Sequence, residues 1–179
     1  MVDLAHTANG AGEPVVLLHA FPLSSAMWHL PQTLLSDRWR VITPDLRGFG
    51  RSPPGDDEPS LDLMADDLAG LLDRLDLDRV VLGGLSMGGY VSMAMLRRHP
   101  QRVRALLLMD TKASADLPGA AANRERIATE LEVSGSTGVL HSTIDGLPGE
   151  TTRRHSPATV GQVRAWRDPV DPSAAAWAQ

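Results

Sequence analysis

Residues 80–89 read VVLGGLSMGG, an apolar run that meets a serine held between two glycines and passes at once into a segment with an apolar face. A strand joined to a helix with no intervening loop forces the chain through a sharp, strained turn at Ser86. Gly84 and Gly88 remove the Cβ atoms that would collide in such a turn. The turn holds the Ser86 hydroxyl out above a sheet and sets the Met87 N–H at a helix N-terminus, where the dipole favours negative charge. That is the arrangement a nucleophilic serine needs, since its attack builds an oxyanion that nearby donors must stabilise. The plain alternative is a glycine-rich turn with no chemistry, and the strand before and helix after it favour the nucleophile elbow.

The rest of the first two-thirds alternates in the same way. Apolar runs of strand length occupy residues 15–19, 41–43, 79–83 and 103–109. Between them, residues 25–36, 61–77 and 87–99 carry helical spacing, the second with Ser60 as N-cap. Its acids, Asp62, Asp66, Asp67, Asp73 and Asp76, fall largely off the apolar stripe and read as a solvated face. Strands that are apolar throughout and alternate with helices predict an α/β fold, a mainly parallel sheet with helices on both faces. Residues 112–179 hold no clear strand, only short helical segments such as 121–133 and 157–167. The expected organisation is residues 1–111 as the N-terminal part of the core and residues 112–179 as a helical cap-like region packed with it as one domain.

Composition narrows the function classes. The 179 residues carry a formal net charge of −5 without a basic stripe, which argues against nucleic-acid binding. The chain has no cysteine, hence no disulfide, thiolate metal site or cysteine nucleophile. No run approaches the roughly 18 apolar residues of a membrane span, and the first ten residues lack signal-peptide order, so a cytoplasmic protein without membrane partners is expected. The glycines of GGLSMGG do not match a phosphate loop, and no His and carboxylate cluster has ligand spacing, so neither cofactor nor metal is expected.

Four ordered segments, HAFPLSSAMW at residues 19–28, VITPDLRGFGRS at 41–52, GLSMGGYVSM at 84–93 and VRALLLMDT at 103–111, resemble the α/β-hydrolase family. The likeness is closest to its small esterase, enol-lactonase and cofactor-free perhydrolase branch. It implies that Phe21 joins Met87 as an oxyanion donor, and it places His19 and Trp28 at the substrate-facing loop, with bracing of that loop as the other role for His19. Asp45, Arg47, Gly48 and Gly50 are expected to hold a turn together. The resemblance also implies a carboxylate and a histidine drawn from two strands beyond the cap, and residues 112–179 contain neither strand. Asp110, after the fourth apolar run, is the substitute acid, although a turn aspartate is its ordinary reading. Among six histidines, His141 and His155 fall in the cap-like region, and His155 is the candidate base.

The function these residues imply is a serine hydrolase of carboxylic esters acting on a small-molecule substrate. Two other expectations stand beside it: a shortened, catalytically impaired hydrolase-fold protein, and a non-enzymatic small-molecule binder. The run 103–109 has no expected neighbour on one side, so an open apolar edge and a homo-oligomer through it are expected.

Overall fold

The computed structural model describes residues 1–167 and 170–179, and its chain divides into two compact units, Met1–Ser114 and Ala115–Gln179. The first is built on five strands, β1 (His6–Asn9), β2 (Pro14–Leu18), β3 (Arg40–Pro44), β4 (Val80–Leu85) and β5 (Val103–Met109), in the order β1-β3-β2-β4-β5. β2, β3, β4 and β5 run parallel, and β1 lies antiparallel to β3. The mainly parallel α/β sheet expected from the sequence is therefore present.

Strand alternation explains how both faces are covered. Val15 and Leu17 of β2 point to one face, where they pack with Val41 and with Trp28 of a short 3-10 turn, Ser25–Trp28. Leu18 points to the other, against α3 (Met87–Arg98). α2 (Leu61–Arg74) packs on α3 and buries Met64, Leu68, Leu71 and Leu72, each side chain stabilising the fold by about 1.5–3 kcal/mol through burial. The Ser60 hydroxyl accepts from the Asp62 N–H at 3.1 Å, so the helix starts where its cap predicts.

Three elements differ from expectation. β1 has only the sequence HTAN, and its partners lie 32 to 38 residues away on β3, with the Thr7 and Thr43 hydroxyls 2.7 Å apart. The helix expected over 25–36 is a 3-10 turn followed by α1 (His29–Leu35), whose buried residue is Gln32; Leu30 and Leu34 face outward. Gln32 donates to the Val41 carbonyl at 3.2 Å and to the hydroxyls of Thr7 and Thr43, so a polar anchor replaces the apolar stripe. Asp67, read as one of a solvated row, is buried and binds Arg47 at 2.7 and 2.9 Å. Its Oδ1 also accepts from the Val2 N–H, tying the chain start to α2.

The second unit is helical: α4 (Pro118–Ser134), α5 (His141–Gly146), α6 (Glu150–His155), α7 (Pro157–Arg167) and α8 (Pro172–Trp177). α4 packs against α8, burying Leu131 and residues Ala174, Ala175 and Ala176 within this unit's elements. Asp171 caps α8 by accepting from the Ser173 and Ala174 N–H groups. No strand occurs among its described residues.

Candidate active site

Ser86 lies at the junction of β4 and α3 with φ 52° and ψ −111°, a backbone conformation that L-residues rarely adopt. The glycines around it are there for space. A Cβ on Gly84 would stand 2.1 Å from the Gly88 carbonyl oxygen, and one on Gly88 would stand 2.4 Å from that of Leu18. The first turn of α3 therefore rests directly on the end of β2, from which the loop toward Phe21 departs.

Ser86 is the N-cap of α3, yet its side chain makes no capping hydrogen bond. Ser24, Ser60 and Ser136, at the N-caps of other helical segments, each accept from a backbone N–H two residues on. Those three have extended backbones, which aim the hydroxyl back at the helix, whereas the positive φ of Ser86 turns its hydroxyl away. Among the described residues nothing hydrogen-bonds the Ser86 hydroxyl, and the residue is half-buried.

β5 holds this turn in place. The Ser86 N–H donates to the Met109 carbonyl at 3.0 Å, and the Thr111 hydroxyl donates to the Ser86 carbonyl at 2.9 Å. The same carbonyl accepts from the N–H groups of Gly89 and Tyr90. Met87 follows as the first residue of α3, a position whose N–H has no partner inside the helix. Asp110, between the two anchoring residues, is exposed and has φ 41°.

The loop after β2 is braced by His19. Its Nδ1 is 3.0 Å from the Ala20 carbonyl, and its Nε2 accepts from the Leu46 N–H at 2.9 Å. Those two bonds require the neutral ring with its proton on Nδ1. Burial lowers its pKa from 6.5 to about 4, against the opposing pull of the Ala20 carbonyl and the Asp45 charge. The ring is fully buried and keeps no nitrogen for a bound molecule, so of the two roles set out for His19 the geometry is that of the brace. The Phe49 ring stands edge-on to both His19 and Phe21, with centroids 5.4 and 6.0 Å away. Asp45 completes the brace by accepting from the Ser25 N–H at 2.8 Å and from the Arg51 N–H at 3.2 Å. Gly50 must be glycine here, because its φ is 55° and a Cβ would sit 2.4 Å from the Asp45 carboxyl carbon. Sequence reasoning expected a turn held by Asp45 and Arg47, but not that this turn carries the loop of the neighbouring strand.

Trp28 is buried in the apolar cluster of Val15, Leu17 and Val41, with Met27, Leu85 and Met109 packed against it, and its Nε1 has no partner among the described residues. It packs on one face of the sheet. The first unit thus brings together Ser86, Met87, Thr111 and Asp110 at the ends of β4 and β5. Phe21 lies half-buried in the loop after β2. His155 ends α6 in the second unit, exposed. His99 is bound to Asp66 at 2.8 Å at the far end of α3, about 20 Å from Ser86 at ~1.5 Å per residue. His6 is three strands from β4, about 14 Å at the ~4.8 Å strand spacing.

A family model described as alpha/beta hydrolase fold matches residues 13–133. Among curated relatives, the 2-hydroxymuconate semialdehyde hydrolase of Pseudomonas sp. (strain CF600) is 39% identical over 105 residues, 56% of this chain and 37% of that protein. The pimeloyl-acyl-carrier-protein methyl ester esterase of Aeromonas hydrophila is 37% identical over 99 residues, 55% of this chain and 37% of its own. Among solved structures, a thermophilic esterase from Thermogutta terrifontis matches with TM-score 0.93 and 41% identity, over 98% of this chain and 65% of that one. The enol-lactonase of Burkholderia xenovorans LB400 matches in fold, with TM-score 0.82 and 24% identity, over 98% of this chain and 68% of that one. The chain spans less than half the length of these curated relatives and less than two thirds of the Thermogutta esterase. With its ordered elements and a matched region covering most of its length, this chain belongs to the alpha/beta hydrolase fold family.

Proposed function

We propose that the chain carries the nucleophile and oxyanion half of a serine hydrolase acting on carboxylic esters of small molecules. The observation that carries this reading is the uncapped, strained Ser86 at the N-terminus of α3, which leaves its hydroxyl unspent and its backbone fixed. A positive φ at a serine costs free energy of order 1–3 kcal/mol, which persists only where surrounding contacts impose it. The esterases among its relatives support an ester as the bond attacked.

In this reading Ser86 Oγ attacks the ester carbonyl carbon, and the carbonyl oxygen becomes the oxyanion. The Met87 and Phe21 N–H groups receive it, the first also favoured by the α3 dipole. Collapse of the tetrahedral intermediate releases the alcohol, and water then frees the acid by the same path in reverse. The serine proton needs an acceptor. The reading assigns that role to His155, with Asp110 as the carboxylate. Asp110 is supported by its exposed position beside Met109, whose carbonyl holds Ser86. His155 is supported by exposure and by the duties of His19 and His99 elsewhere. Self-association through β5 belongs to the same reading, supported by Leu107 and Leu108, 46% and 48% exposed on this strand.

The test is covalent labelling. A fluorophosphonate should modify Ser86 stoichiometrically, located by peptide mass spectrometry, and Ser86→Ala should lose both labelling and turnover of a short p-nitrophenyl ester. Residual turnover in Ser86→Ala would sink the nucleophile assignment. His155→Ala and Asp110→Asn should each slow labelling at least about tenfold, as loss of general base assistance does. His155→Ala that labels at the wild-type rate would remove that histidine from the mechanism. Failure of the wild-type chain to label would leave the impaired and binding expectations.

A further inference from the structure

The carbonyl of Ser86 and the N–H of Met87 belong to one planar peptide group. Whatever grips that carbonyl also aims that N–H, and polarisation passes through the group, since a bond donated to the oxygen strengthens the donor at the nitrogen. Among the described residues the carbonyl has three donors. Two, the N–H groups of Gly89 and Tyr90, are the ordinary property of a helix start. The third, the Thr111 hydroxyl at 2.9 Å, is not: it comes from a side chain 25 residues away in the sequence.

The surroundings fix the hydroxyl in that position. A Cβ on Gly89 would stand 2.5 Å from Thr111 Oγ1 and 2.6 Å from its Cβ and Cγ2, so the threonine side chain rests on the bare backbone of α3's first turn. The preceding residue, Asp110, leaves β5 with φ 41°, a conformation that favours glycine. Strain at Asp110 and the absence of a side chain at Gly89 together admit one hydroxyl to one carbonyl.

We infer that Thr111 is a positioning residue for the oxyanion donor: its hydroxyl orients and polarises the Ser86–Met87 peptide so that the Met87 N–H meets the developing oxyanion. The inference rests on the reading of Met87 as that donor. With its hydroxyl engaged by the Ser86 carbonyl, Thr111 acts through that peptide group, so its loss affects the transition state more than ground-state binding. Removing an oxyanion donor itself lowers kcat about 100–1000-fold, and loss of one polarising bond behind it should cost less, about tenfold.

The experiment compares Thr111→Val, which removes the hydroxyl at nearly constant shape, with Thr111→Ser, which keeps it. On the p-nitrophenyl ester, Thr111→Val should lower kcat about tenfold with KM within about twofold, and Thr111→Ser should recover most of the loss. In 15N-labelled full-length protein, the Met87 amide resonance should move in Thr111→Val and remain near its wild-type position in Thr111→Ser. An unmoved Met87 amide in Thr111→Val would overturn the inference, as would a Thr111→Ser variant as slow as Thr111→Val. Should the valine methyl prevent folding, Thr111→Ala against Thr111→Ser isolates the hydroxyl by the same two readouts. The Met87 resonance does not depend on turnover. A shifted amide in a wild-type background that fluorophosphonate cannot label therefore refutes the nucleophile reading and leaves the peptide contact standing.

Discussion

Protonating His19 would cost the fold a bond, because Nε2 can accept from the Leu46 N–H only while it carries no proton. Its folded pKa of about 4 lies below the ordinary 6.5, so as pH falls the unfolded chain takes up the proton first. The contribution of His19 to stability is complete above pH 6.5 and is withdrawn between pH 6.5 and 4, by up to about 3 kcal/mol at ~1.4 kcal/mol per pH unit. Urea midpoints measured from pH 7 to pH 5 should fall accordingly. His19→Gln should be less stable at pH 7 but flatter over that range, and an equally steep variant would place the dependence on another group. Ser86 was legible as a residue because its glycine neighbours state a steric requirement in sequence. Asp67 was not, since its partner Arg47 sits 20 residues away and only the fold shows the two meeting inside. Trp28 reads from the sequence as a residue on a substrate-facing loop, but its burial depends on β2 and β3 arriving beneath it.

At the scale of elements, the contact between α3 and β2 has no slack. Gly88→Ala would place a methyl 2.4 Å from the Leu18 carbonyl oxygen and 2.8 Å from the Leu18 Cβ, and neither atom can swing aside. Overpacking of this kind costs about 1–3 kcal/mol, so a loss of several degrees in Tm and a displaced elbow are expected. Gly119→Ala in α4 is the contrasting variant, because nothing lies within 4 Å of the added methyl. There the gain in helix propensity should raise stability by about 0.5–1 kcal/mol. Thermal unfolding of both variants checks the pair, and a Gly88→Ala protein as stable as wild type would contradict the close approach. Four of the five strands could be read as apolar runs of the right length. β1 could not, because HTAN becomes a strand only through β3 and the hydroxyl and amide groups of Thr43 and Gln32. α1 misled for the opposite reason: its leucines suggested a buried stripe, and its glutamine is the residue that anchors.

For the whole molecule, the sheet ends at β5 on one side, and Leu107 and Leu108 stand about half exposed there on opposite faces of the strand. Unpaired backbone groups flanked by apolar side chains favour pairing with another chain. Sedimentation should therefore show association at micromolar concentration, and Leu108→Lys, which puts a charge on the edge strand, should shift it toward the monomer. A wild-type chain that stays monomeric at several hundred micromolar would count against the association. No described helix is long and apolar enough to cross a membrane. The parallel sheet was visible from the alternation of elements. The proposed acid and base were not, because neither Asp110 nor His155 belongs to a motif whose spacing states its role.

The anchoring of Ser86 from residues 109 and 111 also bears on how the protein is made. A chain emerging from the ribosome has Ser86 before it has Thr111, 25 residues further on. Until then the strained backbone of Ser86 has no support from β5, and the turn is free to relax to an ordinary conformation. The geometry of Ser86 is thus completed only when β5 joins the sheet beside β4.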